Sequence, residues 1–72
     1  MDIHDSIMAE ITNYTTRFGR DPTRIDLGYR YAEELTRYCV TNDTLLYAEG
    51  GREYAGCKLF FDNIHATTLK VS

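Results

Sequence analysis

Ile3, Ile7, Ile11, Tyr14 and Phe18 recur at steps of four, four, three and four, so they share one stripe of a 3.6-residue helix. Asp2 stands at the N-cap of that helix, and Asp5 places negative charge near the positive end of its dipole. Gly19 suits a left-handed stop after Phe18. Pro22 lacks a backbone donor and drives Asp21 away from helical geometry, so Gly19 to Pro22 reads as a loop. The period then shortens to two. Across Thr23 to Leu27 the apolar Ile25 and Leu27 alternate with the charged Arg24 and Asp26, the pattern of a half-buried strand.

From Tyr29 to Val40 the helical period returns: Tyr31, Leu35 and Tyr38 fall on one side, flanked by Ala32 and Cys39. Arg30 with Glu34, and Glu33 with Arg37, are placed for i,i+4 pairs on its polar face. Thr41 to Asp43 ends the helix. Thr44 to Glu49 and Arg52 to Tyr54 flank Gly50-Gly51, a two-residue connection whose residues accept positive φ, which predicts a hairpin. Gly56 reads as a bulge or kink in the returning strand. Beyond it Cys57, Leu59 and Phe61 share one face, while Lys58, Phe60 and Asp62 share the other. Asn63 to Ala66 forms a turn, and Leu69 and Val71 line the inner side of a last strand. The predicted order is α-β-α-β-β-β: an α+β fold with two helices packed on one face of a small, mostly antiparallel sheet, residues 1–72 forming a single domain.

Composition narrows the function. The 72 residues carry eleven acids and eight bases, and three of the acids (Asp2, Asp5, Glu10) lie in the first ten positions, which hold no base. An acidic excess gathered at one end argues against direct binding of nucleic acid, which calls for a basic patch, and against an anionic membrane surface. No apolar run approaches the roughly 18 residues of a membrane span, and an acidic start is the reverse of a signal peptide. The expected location is the cytoplasm. Cys39 and Cys57 read as buried thiols, being neither a disulfide framework nor a zinc-spaced pair.

The chain contains no P-loop, nucleophile elbow, H-E-x-x-H or C-x-x-C motif. His4 and His65 read as solvent-exposed side chains, although each has acids nearby in sequence. A thiolate at Cys57, favoured by Lys58, is opposed by the inward alternation of Cys57 with Leu59 and Phe61. The expectation is a protein without catalytic residues, cofactor or metal. Six tyrosines and three phenylalanines exceed what a core of this size hides. Tyr14, Phe18, Tyr31, Tyr38 and Phe61 take inward positions, leaving Tyr29, Tyr47, Tyr54 and Phe60 for partial exposure. Together with six arginines, these are residue types that anchor protein interfaces. Asp2 and Asp5 at the helix start, and Glu49 and Glu53 around the hairpin, offer carboxylates able to imitate phosphates. The predicted protein-binding residues are Asp2, Asp5, Glu49, Glu53 and Tyr54, with Arg52 as an anchor.

Pro22-Thr23-Arg24-Ile25-Asp26-Leu27-Gly28, Tyr54 to Asp62, and Thr68-Leu69-Lys70-Val71 resemble small α+β accessory proteins of bacteriophages and prophages. In these a Pro-Thr-x-Ile-x-Leu strand precedes a helix, and an aromatic-x-Gly-hydrophobic strand ends in Asp. The proline-rich turn such proteins place after Asp62 is missing here. The resemblance implies a phage or mobile-element origin within a bacterial host. By analogy of size, charge and class it extends to anti-CRISPR inhibitors, which bind a host protein complex such as a CRISPR effector and block nucleic-acid access or nuclease recruitment. The alternative is a virion or assembly component that forms homo-oligomers by strand pairing. The expected state is a monomer or homodimer, a monomer fitting the first reading and a stable homo-oligomer the second.

Overall fold

The computed structural model describes residues 2–42, 47–48 and 51–72, with 47, 48 and 51 as backbone only. Helix α1 spans Ile3–Phe18, strand β1 Arg24–Gly28, helix α2 Tyr29–Thr41, and strands β2 to β5 Tyr47–Ala48, Gly51–Tyr54, Cys57–Asp62 and Leu69–Val71. The sheet order is β2-β3-β4-β1-β5. Three neighbouring pairs are antiparallel, while β1 and β4 at the centre run parallel, with Ile25 opposite Leu59 and Leu27 opposite Phe61. A parallel neighbour requires a crossover connection, and α2 supplies it by packing against both strands. Both helices lie on the face that buries Ile25, Leu27, Cys57 and Leu59, so the α+β class holds.

The helix boundaries follow their local signals. Asp2 caps α1 by accepting the Asp5 N–H at 2.8 Å, and Gly19 ends it at φ 68°. Ile3 and Ile7 are buried and Ile11 and Tyr14 half-buried, but Phe18 is 53% exposed, so the predicted stripe loses its cover in the last turn. On α2 the buried line is Ala32, Leu35 and Cys39, with Tyr31 and Tyr38 half-buried beside it. The small residues face the sheet, where the helix approaches most closely, and the tyrosines flank them. Of the fully buried side chains, Ile7, Ile25, Leu27 and Leu35 each contribute about 1.5–3 kcal/mol by leaving water.

Two turns differ from expectation. Gly51 opens β3 opposite Ala48 instead of sitting in the reversal, and the remainder of the expected Gly50-Gly51 connection lies outside the described residues. At Gly56 the chain does not bulge but reverses: Tyr54 pairs with Cys57, and the two residues between them, Ala55 and Gly56, take φ 52° and 79°. Positive φ at both central positions defines a type I′ hairpin turn. This splits the single predicted strand into β3 and β4 and raises the strand count to five. Ala55 hid the signal, because alanine rarely adopts this conformation.

The start of α2 has no side-chain cap. Its first donors go instead to the β4–β5 loop: Tyr29 N–H to the His65 carbonyl and Arg30 N–H to the Ala66 carbonyl, both at 3.0 Å. Gly28 N–H donates to the Thr68 carbonyl at 2.7 Å. The loop is itself fastened by Asp62, whose carboxylate accepts the Ile64 and His65 N–H groups at 2.8 and 3.1 Å and lies 2.7 Å from His65 Nδ1. The Ile64 N–H, then the His65 ring and N–H, hold the Asp62 carboxyl below its ordinary range. A side chain on Gly28 would collide with the His65 and Ala66 backbone, so the position admits only glycine.

Denaturant unfolding separates the two turn effects. Gly28→Ala is expected to cost about 3 kcal/mol or more, because the clash displaces two helix-capping carbonyls; a cost under about 1 kcal/mol would rule out this close approach. Ala55→Asn is expected to stabilise by about 1 kcal/mol, since asparagine tolerates positive φ.

Candidate functional site

The start of α1 meets the second half of α2 around a cleft of about 350 Å³, whose walls include Asp2, Glu34, Arg37, Tyr38 and Thr41. Asp2 is held there by its capping bond, and Glu34, Arg37, Tyr38 and Thr41 are brought together by the i, i+3, i+4, i+7 spacing of α2. Arg37 is paired with Glu33 at 2.8 Å, as the sequence spacing predicts. Glu34 forms no ion pair among the described residues.

Beneath the cleft, His4 is half-buried instead of solvent-exposed. Its ring stacks on Tyr38 with centroids 5.2 Å apart and planes 1° from parallel, and meets Tyr54 edge-on. Tyr54 Oη lies 2.6 Å from His4 Nδ1. Burial above all, then the neighbouring Cys39, Tyr38 and Asp2, pushes the Tyr54 hydroxyl up to about 12. The phenol therefore keeps its proton, and its oxygen and His4 Nδ1 share one hydrogen bond. This contact ties the first turn of α1 to β3.

Tyr54, expected at the surface as a contact residue, is 7% exposed and belongs to the core. The alternation read from Cys57 onward applies equally to β3: Tyr54 turns to the helices and Glu53 to the opposite, open face, across from Lys58. Arg52 shares the helix side of the sheet and lies over the Phe61 ring at 4.4 Å. Glu49 lies outside the described residues, as does the Tyr47 side chain. The predicted acidic residues thus do not form one surface. Asp2 and Asp5 stand at the head of α1, and Glu53 is on the far side of the sheet.

The open face carries Arg24, which pairs with Asp26 through two nitrogens at 2.9 and 3.0 Å and covers the Phe60 ring at 4.0 Å. Phe60 and Tyr29 are exposed, as their surplus in the sequence implies. Cys39 and Cys57 are free and buried, and burial pushes both thiols up. Cys57 Sγ lies 3.3 Å from the Pro22 carbonyl, while Lys58 points to the other face and does not activate it. Among the described residues no three His, Cys, Asp or Glu side chains gather as a metal site, and no helix is long and apolar enough to cross a membrane.

Glu34, Tyr38 and Thr41 escaped the sequence reading of the site. The i,i+4 spacing assigns Glu34 to Arg30, a pair that does not form among the described residues, and the inward period assigns Tyr38 to the core. Only the docking of the two helices shows that they meet Asp2.

Tyr54→Phe is expected to lower stability by about 1 kcal/mol through loss of the hydrogen bond to His4, while keeping the fold. Thermal and denaturant unfolding measure it, and an unchanged midpoint would mean that the bond contributes nothing net. No protein-family model, curated protein or solved structure matches the chain.

Proposed function

We propose that this chain is a non-enzymatic phage or mobile-element protein that binds a host protein complex, with the acidic head of α1 and the adjoining cleft as its contact. The observation that carries the reading is the position of the cleft. The end of the sequence where acids outnumber bases borders one of the concave parts of the described surface, between Asp2 on one wall and Glu34 on the other. Asp5, one turn into α1, is exposed beside it. Carboxylates fixed on helices favour a basic partner surface, and proteins that handle nucleic acid present such surfaces. Inhibition of the anti-CRISPR kind follows when the occupied surface is the one that receives nucleic acid.

The assembly reading draws on one feature. Strand β5 is the sheet margin beside β1, and with Lys70 paired to Asp26 the outer peptide groups of Leu69 and Val71 face away from the sheet. Three residues with a lysine at the centre make a short template, and a charged, short edge is a device that discourages strand addition.

Expression in CRISPR-immune bacteria tests the leading reading. Wild-type protein is expected to restore phage plaquing and to compete with nucleic acid for the purified effector complex. The double variant Asp5→Lys, Glu34→Lys is expected to bind at least about ten-fold more weakly, since it sets like charges against a basic surface. Undiminished binding by that variant, or failure of the wild type to bind or inhibit any effector, would reject the reading, and a stable homo-oligomer in light scattering would favour assembly.

A further inference from the structure

We infer that the cleft between α1 and α2 receives the side chain of an arginine from the partner protein. The inference rests on the function proposed above and specifies the chemistry of its contact. Three separate sources of negative potential converge on this space. The first is a pair of carboxylates on opposite walls: Asp2 uses one oxygen to cap α1, and Glu34 is exposed and forms no ion pair among the described residues. The second is the C-terminal end of α2, whose Thr41 and Asn42 line the cleft and whose last turn holds no basic residue to offset the helix dipole. Among the described residues the donors to its Arg37 and Tyr38 carbonyls are neutral: the Thr41 hydroxyl at 3.0 Å on the first, and the Asn42 side-chain amide at 2.9 Å and backbone N–H at 3.0 Å on the second. The third is the Tyr38 ring, whose π-face attracts cations. That ring is already fixed in orientation, because His4 stacks on it and is in turn held by Tyr54. Among the described residues the one cation in the wall, Arg37, is engaged by Glu33.

Size and shape favour arginine. A space of about 350 Å³ accommodates one long side chain and is at the lower limit for a small-molecule pocket. A planar guanidinium can lie against an aromatic ring while directing several N–H donors at carboxylates and carbonyls together, which a lysine ammonium cannot match. The walls are preorganised: Asp2 by its cap, Tyr38 by stacking, and Arg37 by its ion pair. Little side-chain ordering is then left for the moment of binding.

The probe is the peptide acetyl-Gly-Arg-Gly-amide, titrated into the isotope-labelled protein and followed by amide NMR, with the citrulline isostere as the uncharged control. Saturable shifts at Glu34, Tyr38 and Thr41 are expected with the arginine peptide and not with citrulline, and added salt should weaken them. Glu34→Gln should reduce affinity about two- to five-fold, the range of an exposed ion pair, and Lys70→Gln, on the open face of the sheet, should leave it unchanged. Equal shifts from citrulline, or shifts centred elsewhere, overturn the inference. Should a protein partner bind wild type and Glu34→Gln alike while the peptide does nothing, the binding function stands and the arginine contact falls. Should the peptide bind but no effector complex be engaged, the contact stands and the identity of the partner falls.

Discussion

The close approach of Gly28 to the β4–β5 loop governs the arrangement of the whole chain. At this point β1 ends, α2 begins, and the His65 and Ala66 carbonyls occupy the space that any side chain would need. Those carbonyls do the work of the missing N-cap, so the direction in which α2 leaves the sheet is fixed by a segment nearly forty residues further along. Asp62 fastens that segment from the other side with three hydrogen bonds. Because Asp62 is the last residue of β4 and pairs with Gly28 in the parallel register, the same residues set both the central strand pair and the helix that crosses over it.

With α2 so directed, its buried line of Ala32, Leu35 and Cys39 meets Ile25, Leu27 and Leu59, and its C-terminal half reaches the head of α1. The contact between helices is then completed by His4, which stacks on Tyr38 and is hydrogen-bonded to Tyr54. A polar link of this kind within a core is costly when incomplete and rigid when satisfied. No buried side-chain nitrogen or oxygen among the described residues lacks a partner. The cleft is a product of that docking: its floor belongs to the core, and its rim carries the charges that the core does not use.

The division of labour between the two sheet faces follows from alternation. On β3 and β4 the residues facing the helices are Tyr54, Cys57 and Leu59, and those facing away are Glu53, Lys58 and Phe60. Reversal at Ala55-Gly56 keeps this pattern in phase, since a two-residue turn returns the chain with Tyr54 opposite Cys57. A bulge at Gly56 would instead have continued the strand away from β3. The carboxylates therefore separate by face, and Asp2 and Asp5 lie apart from Glu53.

Local chemistry in the sequence was enough to determine both helices, the cap at Asp2, the stop at Gly19, the strand alternation, the buried thiols and the α+β class. Each of these depends on neighbours within about one helical turn or on a period repeated along a single element. Tertiary structure alone decided the parallel pairing of β1 with β4, the capping of α2 by a distant loop, the inward turn of Tyr54 and the meeting of Asp2 with Glu34 and Tyr38. These are contacts between residues far apart in the chain, where the choice of partner is made by packing and by the closing of backbone hydrogen bonds, and no periodicity records it.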